Sequence, residues 1–113
     1  MKHKGSCHCK NIEFEVETNL EKIAQCNCSI CIRRNAKMIM VPKENFTLNK
    51  GESDLALYQF NSNVAKHYFC KKCGIYTHHN RKSDPNGMGV NLGCIEELDA
   101  TEYDPIAFDG RKL

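Results

Sequence analysis

Seven of the eight cysteines in this 113-residue chain fall into three short groups. Cys7 and Cys9 form C-x-C, Cys26, Cys28 and Cys31 form C-x-C-x-x-C, and Cys70 and Cys73 form C-x-x-C followed at once by Gly74. A chain this short, with 41% apolar residues, builds only a modest core and often needs a staple as well. Clustered thiols supply one either as disulfides or as metal ligands. The opening "MKHKGSCHCK" has no apolar h-region, so it does not read as a secretion signal. No apolar run approaches the roughly 18 residues that span a bilayer. The expectation is therefore a cytoplasmic protein, with one domain over residues 1–113, whose thiols stay reduced and bind metal. The alternative is a secreted, disulfide-stapled domain, since eight is an even number.

The spacings divide the sulfurs unevenly. "FCKKCG" is a zinc knuckle: the two-residue gap turns both sulfurs toward one ion, and Gly74 allows a tight turn whose amides face the thiolates. Lys71 and Lys72 in the gap read as solvated loop lysines. Two more ligands close a tetrahedral structural site. On an extended chain the C-x-C pair projects to one side. Cys7 and Cys9 are thus expected to complete a four-thiolate zinc site with Cys70 and Cys73. Metal binding there would count as folding free energy. Cys26, Cys28 and Cys31 remain. Three thiolates can hold a second Zn²⁺ with one position open, as in sites that do chemistry, or a fourth ligand, Cys94 or a His, can close the site structurally. Both alternatives stand at this point. In the open form, a small thiol bound at the free position would ionise and react with an aldehyde carbon, or be expelled in reverse.

The formal net charge is +2, and seven ionised thiols with two Zn²⁺ would take it to −1. Neither value implies a nucleic-acid partner. Short alternating or apolar runs at 12–17, 37–41, 45–51, 55–60, 65–69, 75–79 and 88–94 read as strands, with turns at 49–51 and 61–63 and a loop at 82–87. Helical turns are expected at 29–36, with Ser29 as N-cap, and at 96–100. The fold class is all-β, as a sandwich or folded-over antiparallel sheets.

"GSCHC", "CNCSIC" and "FCKKCG" in this order, with "VNLGCIEELD" behind them, resemble the glutathione-dependent formaldehyde-activating (GFA) family from about Gly5 to Asp99. The resemblance implies a β-rich, Mss4-like fold and a structural zinc on Cys7, Cys9, Cys70 and Cys73. It also implies a second zinc on Cys26, Cys28 and Cys31, associated with carbon–sulfur lyase activity on the glutathione–formaldehyde adduct. Two positions depart from the common pattern. Ile32 stands where many relatives carry a basic residue, and Asn35-Ala36 stands where a Gly-Ala pair is common.

Arg33, Arg34 and Lys37 follow the middle motif and are candidates for holding the carboxylates of a small thiol such as glutathione, or are simply a solvated basic turn. Cys94 reads as a buried core thiol. His78 and His79 are adjacent, so on a strand they face opposite sides; one could reach a metal or carry a proton. His8 is expected to point away from the metal. Tyr68, Phe69 and Tyr76 are expected in the core, and Asn91 is a polar candidate on the last strand. No side chain stands out as general acid or base. The expected activity is a zinc-dependent carbon–sulfur lyase or transferase step on a thiol–aldehyde adduct. The competing functions are a non-catalytic zinc module for a protein partner, and zinc buffering.

Overall fold

A computed structural model describes residues 1–60, 65–80 and 86–112. In chain order these form β1 (Lys2–Ser6), β2 (Glu13–Glu17), β3 (Ile23–Cys26), helix α1 (Ser29–Arg34), β4 (Met38–Pro42), β5 (Phe46–Lys50), β6 (Leu55–Tyr58), β7 (Lys66–Cys70), β8 (Tyr76–Asn80), β9 (Gly87–Asn91) and β10 (Ile106–Phe108). Single 3₁₀ turns lie between several of them. The expected mainly β architecture is what forms. None of the described helices is long and apolar enough to cross a membrane. The expected turn at 61–63 and most of the loop at 82–87 lie outside the described residues.

Two sheets carry the fold. The smaller has the order β1-β2-β5, and the larger β10-β3-β4-β9-β8-β7-β6. Pairing is antiparallel except between β10 and β3, which run parallel. The alternation of β2 does what the pattern demands: Phe14 and Val16 are buried, and the glutamates face outward or lie half-exposed. Gly5 pairs with Phe14, and a Cβ at position 5 would lie 2.3 Å from the Phe14 ring, so only glycine lets that ring fold across β1. The Phe14 ring lies 5.2 Å from Phe46, whose ring lies 4.4 Å from His78 of the larger sheet. This aromatic column joins the two sheets over a core of Ile39, Val41, Met88, Val90, Leu92 and Ile95. Each such fully buried side chain contributes about 1.5–3 kcal/mol.

Three local expectations need correcting. Helix α1 forms, but its N-cap is Cys28 and Ser29 is already its first helical residue. The strand expected to run to residue 94 ends at Asn91, where the chain tightens into a 3₁₀ turn, Leu92–Cys94, capped by the Asn91 side chain accepting from the Gly93 amide at 3.0 Å. The helical turn expected at 96–100 instead begins at Ala100 (Ala100–Glu102) and is capped by Asp99. Three strands, β1, β3 and β10, have no signal in the hydrophobic pattern: β1 alternates Lys with His and Gly, and β3 and β10 have four and three residues.

Candidate metal centres

Cys7 follows β1 directly, and Cys9 sits in the turn that leads back to β2. That turn is closed by the Lys10 amide donating to the Cys7 carbonyl at 3.2 Å, with Lys10 at φ 69°. The C-x-C pair is therefore a turn, not the extended segment that its spacing suggests; both sulfurs still meet one point, because the chain folds around them. Cys70 ends β7, and the knuckle after it is fixed by the Gly74 amide donating to the Cys70 carbonyl at 2.9 Å. Gly74 takes φ 78°, which a side chain would disfavour.

The sulfurs of Cys7, Cys9, Cys70 and Cys73 all lie within 4.8 Å of one another. The Cys9 sulfur is 3.6 Å from both Cys7 and Cys70. A tetrahedron of sulfurs at about 2.3 Å from a zinc ion has edges of about 3.8 Å, so the spacing suits that ion. The Ile12 amide donates to the Cys7 sulfur at 3.3 Å. At Cys73 burial acts upward on the thiol, but the Cys9 and Ile75 amides outweigh it and bring the pKa down to about 6. At Cys9 the Asn11 amide acts downward, yet burial and the three neighbouring sulfurs push the thiol up to about 11. Four sulfurs packed this closely do not all ionise without a cation among them. The residues present fit a metal ion.

The second group is built by a strand-to-helix junction. Cys26 ends β3, Cys28 caps α1 and Cys31 lies in its first turn, and the three sulfurs lie within 4.8 Å of one another. The Cys28 amide donates to the Cys26 sulfur at 3.4 Å. Burial pushes the Cys28 thiol up, but the Cys31 and Ile30 amides and the flanking thiols overcome it and leave its pKa lowered. Burial, and then the Cys28 and Cys26 thiols, push Cys31 strongly upward. Helix α1 stops at Asn35, which takes the left-handed conformation at φ 51°. Asparagine is one of the few residues other than glycine that adopts that conformation readily at a helix end.

No fourth His, Cys, Asp or Glu joins this trio among the described residues. Cys94 is instead buried with its thiol directed at the Tyr76 carbonyl, 3.6 Å away, and burial, with Cys7 and Cys73 nearby, pushes it up to about 12. One side of the trio is covered by the C-terminal segment. Phe108 O accepts from the Asn27 amide at 3.2 Å, Asp109 accepts from the Asn27 side chain at 3.0 Å, and the Arg111 amide and Nε donate back to Asn27 at 3.2 and 3.1 Å. Gly110 lies against the sulfurs: a Cβ there would come within 2.4 Å of Cys26 Sγ.

Helix α1 leads to a stack of rings near Cys28 and Cys31. Arg34, one turn after Cys31, places its guanidinium carbon 3.7 Å from the centroid of the Tyr76 ring, and its Nη1 donates to His67 Nδ1 at 3.1 Å. The Tyr76 hydroxyl and His79 Nδ1 are hydrogen-bonded to each other. His79 stacks on His67 with ring centroids 5.5 Å apart. Tyr76 and His79 share a face because β8 carries an extra residue relative to β7: Tyr68 pairs with His78 and Phe69 with Tyr76, leaving Thr77 as a bulge. Gly89, paired with His79, makes room for the imidazole, since a Cβ there would lie 2.4 Å from the ring. Burial keeps the Tyr76 hydroxyl protonated against the pull of Arg34. Burial, and then the Arg34 charge, lower His67 to about 4, so it is neutral and accepts from Arg34.

The other candidates have separate places. Tyr76, expected in the core, is instead part of this stack. His78 faces the opposite side from His79, buried between Phe46 and Tyr68. Lys37 is engaged by the Ala100 and Tyr103 carbonyls, at 2.8 and 2.5 Å. Arg33 donates to its own helix at Ser29 O and is exposed. Asn91 is structural: besides its capping bond it donates to the Tyr76 carbonyl at 2.8 Å. His8 is exposed. Nothing in the sequence pattern marks Gly110, Asn27 or the Tyr76–His79 pair, because each acquires its role from a partner far along the chain or from a bulge.

A family model described as glutathione-dependent formaldehyde-activating enzyme matches residues 2–108. A crystal structure of a Rhodobacter sphaeroides protein, determined in a structural genomics programme, is similar to this chain at 38% sequence identity and a TM-score of 0.87. The similarity covers 95% of this chain and 98% of that one.

Proposed function

The chain belongs to the glutathione-dependent formaldehyde-activating family, and on that premise we propose that it is a zinc-dependent carbon–sulfur lyase. Its substrate would be the adduct of a small thiol and an aldehyde, such as S-hydroxymethylglutathione. Cys7, Cys9, Cys70 and Cys73 hold a structural zinc, and Cys26, Cys28 and Cys31 hold a second. The observation that carries this proposal is the trio itself: three sulfurs converge, and no fourth protein ligand accompanies them among the described residues. A zinc ion with an open position supplies one thing there, a stable thiolate form of the incoming sulfur near neutral pH. The protein's own residues do the rest. The C-terminal segment covers the Cys26 side, and Arg34, on the helix that carries Cys31, lies over the Tyr76 ring. Arg34 offers a guanidinium with donors beyond the one used on His67, suited to a carboxylate of the thiol compound. Arg33, exposed on the same helix, is a second and more peripheral candidate. Eight free thiols are consistent with a reducing compartment such as the cytoplasm.

The test is the exchange rate between formaldehyde, glutathione and their adduct, followed by magnetisation-transfer NMR. Wild-type protein is expected to accelerate exchange over buffer, and Cys28→Ser to abolish the acceleration while remaining folded. Equal rates with and without wild-type protein would contradict the proposal for this substrate.

A further inference from the structure

The stack beside the trio contains a feature that carbon–sulfur cleavage needs and that the cysteines do not provide: a place for the hydroxyl proton of the adduct. We propose that Tyr76 is a catalytic residue and His79 its proton acceptor, together forming a relay for that proton; this rests on the lyase function proposed above. Four observations converge on the pair. The Tyr76 hydroxyl faces His79 Nδ1 in a direct hydrogen bond. The bulge at Thr77 takes up one residue of register and brings the two side chains to the same face. Glycine at position 89 leaves the space that the imidazole fills. Arg34, on the helix that carries Cys31, lies flat over the phenol ring and ties the pair to the metal-binding junction.

The step balances within the site. In an adduct R–S–CH2–OH, the hydroxyl proton passes to Tyr76 Oη as the phenol's own proton passes to His79 Nδ1. The oxygen's electron pair forms the C=O bond of formaldehyde, the C–S bond breaks, and sulfur keeps that bonding pair as a thiolate. Adduct formation runs the same transfers backward, with the imidazolium returning its proton through the phenol to the new hydroxyl. No oxidant, reductant or further co-reactant enters. His67 acts only through Arg34: its neutral Nδ1 accepts from the guanidinium and holds it over the ring.

The experiment compares wild type, Tyr76→Phe and His79→Gln in the NMR exchange assay, with zinc content and glutathione binding measured on the same samples. Tyr76→Phe keeps the ring beneath Arg34 and is expected to keep wild-type zinc content and glutathione affinity while exchange slows by about 100-fold or more. His79→Gln is expected to behave in the same way, and it supplies the answer if the phenylalanine variant does not fold. Exchange within about threefold of wild type in the variant that folds overturns the relay and leaves the lyase function standing. A slow variant that has also lost zinc overturns it too, by assigning Tyr76 a structural role. A wild type no faster than buffer overturns both.

Discussion

Single atoms set the second cysteine group. Gly110 is the sharpest case, because the space that a methyl group would need is occupied by Cys26 Sγ at 2.4 Å and Cys28 Cβ at 3.0 Å. The substitution Gly110→Ala is therefore expected to displace the C-terminal segment or Cys26, and to cost the second metal ion but not the first. Zinc analysis should fall from two equivalents per chain to one, with an unchanged circular dichroism spectrum. Two equivalents in the variant would mean that the segment does not bear on the site. At this scale the sequence was informative about ligands and silent about their surroundings. Thiols at short spacing announce themselves, since few other roles crowd them so. A glycine near the end of the chain announces nothing until the sulfur it faces is known.

Elements were legible where burial follows the strand period and illegible where it does not. β2 and β4 declare themselves through Phe14, Val16, Ile39 and Val41. β10 is exposed along its whole length and is held by its pairing with β3, so no pattern marks it. β8 shows a further limit: the period-2 rule correctly separates His78 from His79, yet it cannot foresee the bulge that returns Tyr76 to the side of His79. The same strand carries a prediction about acid stability. Burial lowers His78 from its ordinary value of 6.5 to about 4 in the folded protein. Between those values the unfolded chain binds the extra proton and the folded chain does not. The stabilisation is complete above about pH 6.5 and is lost as pH falls toward 4. His78→Phe, which keeps a ring between Phe46 and Tyr68, should reduce the loss of unfolding free energy between pH 7 and pH 5 by an amount on the order of 1 kcal/mol. Urea titrations of both proteins at the two pH values measure it; identical pH dependence would show that His78 protonates freely in the native state.

For the whole molecule, the two cysteine groups have different relations to the fold. The tetrad joins the β1–β2 turn to the knuckle after β7, so residues more than 60 positions apart meet at one point beside buried Ile12. Losing it removes a long-range tie from a chain with a modest core. The trio is local, spanning a strand end and the first turn of a short helix with no buried residue of its own. Its loss is expected to leave both sheets and the aromatic column between them intact. Metal counting on purified wild type, Cys28→Ser and Cys73→Ser distinguishes a fold-holding tetrad from a dispensable trio. Two zinc ions are expected in wild type, one in a folded Cys28→Ser, and an unfolded or aggregated protein in Cys73→Ser. A Cys28→Ser protein that collapses as Cys73→Ser does, or a native wild type with its trio in disulfides and no metal, would contradict that division.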